Sequence, residues 1–220
     1  MWKKTMMLML SALCVSSMAA GVDQIFNELD KKSEQFKTMQ YRTIYYDGDG
    51  KKVPASESST KMMRTPEQVL IHHETDVSMN GQQLKVEALI TPTKTYMRKT
   101  INGAVSYDQN PTRNGIYGNM VCHGMVLNDN SHFDYKVLPD AKEEGMDMWV
   151  VQGVVKDKSR NPAVPARIIW KFDKKSGLNV RTEGYNANGT QILSGRVYDI
   201  RVDDNIDKAL FDIARFSAKK

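Results

Sequence analysis

Residues 45–66 read Tyr-Tyr-Asp-Gly-Asp-Gly-Lys-Lys-Val-Pro-Ala-Ser-Glu-Ser-Ser-Thr-Lys-Met-Met-Arg-Thr-Pro, and this stretch decides the class of fold. It opens at the end of an aromatic, β-branched segment and breaks at two consecutive Asp-Gly pairs. Asp-Gly supplies the positive φ that tight hairpin turns require, and Pro66 closes the second strand because it cannot donate to a ladder. The stretch therefore predicts a β-hairpin whose second strand ends on one cation, Arg64, beside two flexible apolar side chains.

Turn signals recur along the rest of the chain at a spacing of about ten residues, several of them Asn-Gly dipeptides. The segments between them have the composition of short strands: residues 39–46, 58–64, 68–77, 83–90, 94–101, 133–138, 148–156, 166–172, 178–185 and 191–202. Hairpin turns between short strands predict an antiparallel meander rather than alternating βαβ units. No repeat or linker divides the chain, so we expect a single domain over residues 21–220.

The segment before the first strand, residues 22–38, has helical periodicity. Val22, Ile25, Phe26, Leu29 and Phe36 fall on one stripe, and charged residues fill the opposite face. This predicts an amphipathic helix that packs on the sheet. The fold class is therefore mainly β with α (α+β).

Two strands carry apolar residues on both faces, at residues 148–151 and 168–170. In a sheet with one face exposed to solvent, apolar and polar residues would alternate along each strand. We expect this sheet to be covered on each side, by helices or by a curved apolar cavity.

Two segments interrupt the meander. Residues 110–128 place apolar side chains at near-helical spacing between glycines and predict a short mobile helix. Residues 203–211 predict a terminal turn or loop in which Ile206, Leu210 and Phe211 act as apolar plugs.

The N-terminus has the features of a secretory signal peptide over residues 1–20. Lys3 and Lys4 precede an apolar run at residues 6–15, which small residues follow. The run is shorter than the roughly twenty residues that span a bilayer. A lipidation signal has a small residue directly before its cysteine, whereas Leu13 precedes Cys14. We therefore expect export to the periplasm without a lipid anchor. Cys122 is then the only cysteine, which excludes an intramolecular disulfide.

The charge and the motifs exclude several classes of function. The formal net charge of +5 is spread along the chain without a basic block, which argues against nucleic-acid binding. His72 and His73 are neighbours on a strand and point to opposite faces, so they do not form a metal motif. There is no serine elbow, phosphate loop or dinucleotide fingerprint. We expect no metal, no cofactor and no enzyme activity, although a scattered catalytic site is left open.

Methionine is abundant in the part of the chain after the signal. Methionine adapts to irregular apolar partners, and as single residues these side chains are most simply core. As a group, beside strands that are apolar on both faces, they suit a cavity for acyl chains.

The order of these motifs resembles the LolA/LolB-like periplasmic lipoprotein carriers. Asp47-Gly48-Asp49-Gly50, a polar strand and Arg64-Thr65-Pro66 follow the first helix, and the last strands repeat the family's order of strands and turns. The family's Arg stands directly before Pro, whereas Thr65 intervenes here. The resemblance implies a strongly curved antiparallel half-barrel with short lid helices over an apolar cavity.

The resemblance also implies roles for single residues. Arg64 matches the carriers' arginine that holds a lid over the empty cavity. The expected lining consists of Met62, Met120, Met125, Trp149, Ile168 and Trp170.

The function implied is that of a monomeric, non-enzymatic carrier. It binds the acyl chains of a lipoprotein or lipid and hands them to an outer-membrane acceptor, with transport partners in the inner and outer membranes. The alternative is a sensor or envelope assembly module of the same fold that acts by protein–protein contacts.

Overall fold

The structure is a computed structural model that describes residues 21–53, 57–79, 82–112, 133–156 and 165–217. One helix, α1 (Val22–Gln35), precedes the strands. The strands are β1 (Thr38–Asp47), β2 (Ser58–Arg64), β3 (Val69–Met79), β4 (Gln82–Ile90), β5 (Lys94–Ile101), β6 (Ala104–Pro111), β7 (Phe133–Glu143), β8 (Met146–Val155), β9 (Arg167–Asp173), β10 (Asn179–Tyr185) and β11 (Gln191–Val202). Two 3₁₀ helices, Lys208–Phe211 and Ile213–Phe216, follow.

The strands form one open, 11-stranded antiparallel sheet in the order β6-β5-β4-β3-β2-β1-β11-β10-β9-β8-β7. The predicted meander and N-terminal helix are confirmed. Because β1 pairs with both β2 and β11, the first and last strands of the chain lie together at the middle of the sheet. The two edges are β6 and β7. The predicted lid segment lies almost entirely outside the described residues, and the predicted cavity beneath it is not established.

Strand β6 was missed by the sequence prediction, which had no strand between residues 101 and 133. Its residues include Ser, Asp, Gln and Asn and show no alternation of apolar side chains. The Asn102-Gly103 dipeptide did predict the turn before this strand. In the structure the two residues have φ values of 47° and 86°, as a two-residue hairpin loop requires. Residues 110 and 111, assigned to the start of the lid helix, instead end this strand.

Helix α1 packs on one face of the sheet, which we call the inner face. Its side chains Ile25, Phe26 and Leu29 are buried against Val151 and Phe172. The predicted apolar stripe is therefore the contact surface of the helix, except that Phe36 follows the end of α1 and packs in the core cluster around Ile71. α1 covers strands from the C-terminal half of the sheet.

Two strand glycines let aromatic rings lie directly on the backbone of the inner face. A Cβ added to Gly153 would lie 2.7 Å from Trp170 Cζ3, and one added to Gly195 would lie 2.5 Å from Tyr45 Cε1. Glycine inside a strand marks a close approach or a bend. A larger residue at either position would collide with the ring that lies on it.

The C-terminal 3₁₀ helices cover the opposite face, which we call the outer face. Ile206, Phe211 and Phe216 are buried in one cluster with Leu89 of β4. The predicted plug role is confirmed for Ile206 and Phe211, and Leu210 is partly buried against the same cluster. Phe216 lies beyond the predicted segment, residues 203–211, and belongs to the same cluster.

The outer face buries one histidine whose titration should be visible in the stability of the fold. His72 is 1% exposed, and its ring lies 6.3 Å from that of Phe216. Burial lowers the pKa of His72 from 6.5 to about 4, and the charges that act on it come from Glu87, Glu74, Arg215 and Lys61. Between about pH 4 and pH 6.5 the His72 ring is therefore neutral in the folded protein and protonated in the unfolded chain.

The free energy of unfolding should therefore be highest above about pH 6.5 and fall as the pH decreases toward 4. Urea unfolding at a series of pH values measures this, and His72→Gln should reduce the slope in that window. An equal slope in His72→Gln would show that other groups govern the acid response.

Candidate functional site

The inner face carries apolar side chains that the described part of the chain leaves incompletely covered. Within the segments that the structure describes, no helix packs over β3–β6 on this face. Strand register places on this face Leu84 and Val86 of β4, Met97 and Ile101 of β5, Tyr45 of β1, Leu193 and Val197 of β11, and Ile168 and Trp170 of β9. Most are half-buried, and Tyr45 and Ile101 are exposed at 38% and 42%. This surface offers apolar contact to a further partner.

Aromatic rings order one end of this surface. The Trp170 ring centroid lies 5.5 Å from that of Phe133 and 6.1 Å from that of Tyr135, and Phe26 of α1 lies 5.4 Å from Tyr135. The Trp170–Phe133 and Phe26–Tyr135 pairs are edge-to-face, with interplanar angles of 83° and 88°, and the Trp170–Tyr135 pair is tilted at 47°. Trp170 and the neighbouring Ile168 are therefore held on the inner face beside α1.

The other expected lining residues have different surroundings. Met62 is 1% exposed and belongs to the core cluster around Ile71. Trp149 packs partly buried against the α1 cluster, with Lys174 Nζ 5.8 Å from its ring centroid. Met120 and Met125 lie outside the described residues. A lining role for any of these residues stays a prediction.

Arg64 ends β2 and binds the C-terminal end of α1. Its Nε donates to the Phe36 carbonyl at 3.1 Å, its Nη2 donates to the Ser33 carbonyl, and the guanidinium lies 4.9 Å over the Phe36 ring. The last carbonyls of a helix have no partners within the helix. Arg64 therefore fastens α1 to the sheet. The predicted contact between Arg64 and a lid is not tested, because the lid segment is not described.

A cavity of about 470 Å³ opens beside this anchor. Its apolar wall is formed by Phe36, Met39, Met146, Ile200 and Val202, and its charged rim includes Lys32, Lys175, Asp173 and Asp203. Small-molecule sites range from about 300 to 1,000 Å³. The volume suits part of an amphipathic ligand, with apolar atoms inside and a polar group at the rim.

A buried polar group interrupts the apolar inner face without adding charge. Thr60 Oγ1 and His73 Nδ1 lie 3.0 Å apart, and Tyr41 lies on the strand beside them. Burial raises the pKa of Tyr41 to about 12 and lowers the pKa of His73. Both side chains are therefore neutral at neutral pH, which suits an uncharged ligand surface.

A cluster on the outer face has the residue types of a metal site. Ligand atoms of His72, Glu74 and Glu87 all lie within 4.8 Å of one another. His72 and Glu74 are two apart on β3, and Glu87 lies opposite Glu74 on β4. No sequence motif predicts this group, because Glu87 joins His72 and Glu74 only through the pairing of β4 with β3.

Cations already neutralise the two carboxylates of this cluster. Arg98 Nη1 lies 3.0 Å from Glu87 Oε2, Arg215 Nη2 lies 3.7 Å from Glu87 Oε1, and Lys85 Nζ lies 2.5 Å from Glu74 Oε1. A divalent ion would have to displace these partners. The arrangement is therefore an ion-pair network that ties the C-terminal 3₁₀ helix to the sheet.

Within the described ranges, no helix is long and apolar enough to cross a membrane.

Comparisons with known proteins identify the class of fold. No family model and no curated protein matches the chain. Among solved structures, the Pseudomonas aeruginosa MucA/MucB complex matches with a TM-score of 0.54 and 12% identity over 88% of this chain and 61% of that chain. A structure of MucB alone matches with a TM-score of 0.52 and 10% identity over 90% of this chain and 62% of that chain. The Mycobacterium tuberculosis lipoprotein LppX matches with a TM-score of 0.47 and 8% identity over 84% of this chain and 97% of that chain.

The predicted LolA/LolB-like fold is confirmed at this level. The chain spans about 61% of the length of the MucB chain in the MucA/MucB complex. Identities of 12% or less show a shared fold and leave the function to be argued from the site.

Replacing Arg64 by Leu should lower the free energy of unfolding by about 1–3 kcal/mol, because buried carbonyls at the end of α1 lose their donors. Arg42→Leu is the matched control. Arg42 is 47% exposed and pairs with Glu57, and surface pairs contribute about 0–1 kcal/mol. Urea unfolding compares the two variants. Equal losses would contradict the anchoring role of Arg64.

Proposed function

We propose that the protein is a non-enzymatic periplasmic carrier that binds the acyl chains of a lipid or lipoprotein on the inner face. The observation that supports this is the set of half-buried apolar side chains on β4, β5 and β11, which no described helix covers, together with Ile168 and Trp170 of β9 beside α1. The set adjoins the neutral group formed by Tyr41, Thr60 and His73. Such a surface favours a long, uncharged chain over a polar or ionic ligand.

Burial of an acyl chain on the inner face provides enough free energy for binding in the micromolar range. Burying a methylene contributes about 0.8 kcal/mol, so ten methylenes contribute about 8 kcal/mol, which corresponds to a dissociation constant of about 1 μM if ordering costs are small. Met97 on β5 and the predicted Met120 and Met125 would adapt to chains of different shape. Ile168, Trp149 and Trp170 would form the firmer wall near α1.

In this proposal Arg64 is the lid latch. A guanidinium has five donors in a planar fork, and Arg64 already uses two of its nitrogens on the end of α1. A further bond to residues 113–132 would hold the empty site closed, and an incoming acyl chain would break it. Transfer to an outer-membrane acceptor would then follow release of the chain. Export through a signal peptide at residues 1–20 places residues 21–220 in the periplasm.

A second candidate function is a sensor or assembly module that acts by protein–protein contacts. The observation that favours it is the match to MucB, which is in complex with MucA in one of the matched structures. In that case the inner face would be filled by the protein's own side chains.

Binding of a fluorescent fatty acid, dansyl-undecanoic acid, tests the carrier proposal. Val86→Gln and Ile168→Gln place an amide on the inner face and should weaken binding at least tenfold, because burying an unpaired amide costs about 1–3 kcal/mol. Val154→Gln is the matched control, since Val154 is exposed at 40% on the outer face.

The carrier proposal fails if the purified protein takes up no probe. It also fails if Val154→Gln weakens binding as much as the two inner-face variants. Either result would favour the second candidate function.

A further inference from the structure

Three polar side chains form a row across β1, β2 and β3 on the inner face. Tyr41 is opposite Thr60 in the strand register, and Thr60 is opposite His73. Thr60 Oγ1 lies 3.0 Å from His73 Nδ1, and the Tyr41 and Thr60 side chains also form a hydrogen bond. Thr60 is 1% exposed, and Tyr41 is buried beside it. The row is therefore a hydrogen-bonded chain that ends at the His73 ring.

The direction of these hydrogen bonds follows from where each hydrogen can go. A hydroxyl both donates and accepts, whereas a neutral imidazole has one N–H and one acceptor nitrogen. Burial lowers the pKa of His73, so its ring is neutral at neutral pH. If Tyr41 donates to Thr60 and Thr60 donates to His73 Nδ1, both buried hydroxyl hydrogens have acceptors.

The opposite direction leaves one hydrogen without a partner. His73 Nδ1 would then donate to Thr60 and Thr60 to Tyr41, and the Tyr41 hydrogen would have no acceptor among the described residues. A buried donor without an acceptor is costly. The ring hydrogen of His73 therefore lies on Nε2, and Nε2 is a hydrogen-bond donor.

The Nε2 atom of His73 is accessible from the inner face. Among the described residues, Thr60 is the only hydrogen-bond partner of the His73 ring. Buried polar atoms without a partner include Nε2 of His72 on the outer face, but not Nε2 of His73. On β4, His73 lies opposite Ala88, whose side chain is only a methyl group, and Ala88 lies opposite Met97. The Nε2–H group therefore opens onto the apolar surface proposed for acyl chains.

An acyl chain on this surface would cover the Nε2–H group. A donor that loses its contact with water and gains no acceptor weakens binding, whereas a ligand that supplies an acceptor avoids this loss. A hydrocarbon has no acceptor, and an ionised carboxylate is costly to bury in an apolar surface. The carbonyl oxygen of an ester is an acceptor that carries no charge.

We propose that His73 selects acyl esters by donating a hydrogen bond from Nε2–H to the carbonyl oxygen of the bound chain. This inference rests on the proposed function, because it adds the ligand class to the same inner-face surface. Two sources share this chemistry, the ester-linked chains of a membrane lipid and those of a lipoprotein. Tyr41 and Thr60 are positioning residues that fix the tautomer of the ring.

Nuclear magnetic resonance of the ring nitrogens tests the tautomer in the unaltered protein. Two-bond ¹H–¹⁵N correlations distinguish a protonated ring nitrogen from an unprotonated one. At pH 7 the hydrogen of His73 should lie on Nε2. A ring protonated on Nδ1 would overturn the proposal.

Displacement of dansyl-undecanoic acid by methyl undecanoate and by undecyl methyl sulfide measures the selectivity for esters. The two ligands have the same length, but the sulfide has no carbonyl, and its sulfur is a weak acceptor. His73→Phe keeps a ring and removes the donor, so the ratio of the sulfide to the ester dissociation constant should fall about fivefold. His73→Gln, whose amide N–H replaces Nε2–H, should keep this ratio within about twofold.

Thr75→Val is the matched control for His73→Phe. Thr75 lies two residues along the same face of β3, and its hydroxyl already donates to the Glu57 carbonyl at 2.9 Å. Its loss should therefore change the ratio by less than about twofold. Urea unfolding checks that each variant is folded, and the tautomer is measured without any substitution.

Dioctanoylphosphatidylglycerol and a dipalmitoylated cysteinyl peptide separate the two sources of an ester. The source whose affinity falls about fivefold in His73→Phe is the ligand class, and a loss with both shows that the site reads the ester common to them.

An unchanged ratio in His73→Phe, an equal fall in Thr75→Val, or no loss with either natural ester would overturn the proposal. In each of these cases dansyl-undecanoic acid still binds, so the carrier proposal stands. If neither this probe nor any ester binds, both proposals fail.

Discussion

The pairing of β1 with β11 is the interaction on which the rest of the structure depends. It joins two local meanders, β1–β6 and β7–β11, into one sheet, and it brings the first and last strands of the chain together. Asp203, just after β11, reinforces the junction by accepting the backbone N–H of Lys37 at 2.7 Å. Without this ladder the two halves would be separate hairpin arrays, each with an open edge at the middle.

The asymmetry of the inner face follows from this junction. Helix α1 precedes β1, and Arg64 fixes its C-terminal end at β2, so the helix packs back over β7–β9 of the other half. The inner surface of β3–β6 then has no described helix over it. The apolar side chains of β4 and β5 are consequently left for a ligand or for the chain outside the described ranges. The proposed acyl-binding surface is thus a consequence of where one short helix can reach.

Local sequence chemistry was enough to predict most elements but not their arrangement. The Asp-Gly and Asn-Gly turns specify hairpins within a few residues, so the strands that they bound could be predicted. β6 was missed because its polar side chains carry no alternation. The pairing of β1 with β11 joins residues far apart in the chain, and no local pattern encodes it.

The same limit applies to the site. Trp170 and Ile168 could be proposed from the doubly apolar strand β9, but Met62 is buried because the register sets it opposite Ile71. The contact between Arg64 and the carbonyls of Ser33 and Phe36 depends on how α1 folds back, which sequence spacing does not show. The cluster of His72 and Glu87 likewise exists only through the β3–β4 ladder.

Native mass spectrometry of the protein purified without detergent from the envelope of its own cells tests the central claim most directly. We expect discrete additional masses that match a lipid or an acylated peptide and that disappear after extraction with organic solvent. A bare polypeptide mass under the same conditions would contradict the carrier proposal and would favour a role in protein–protein contacts.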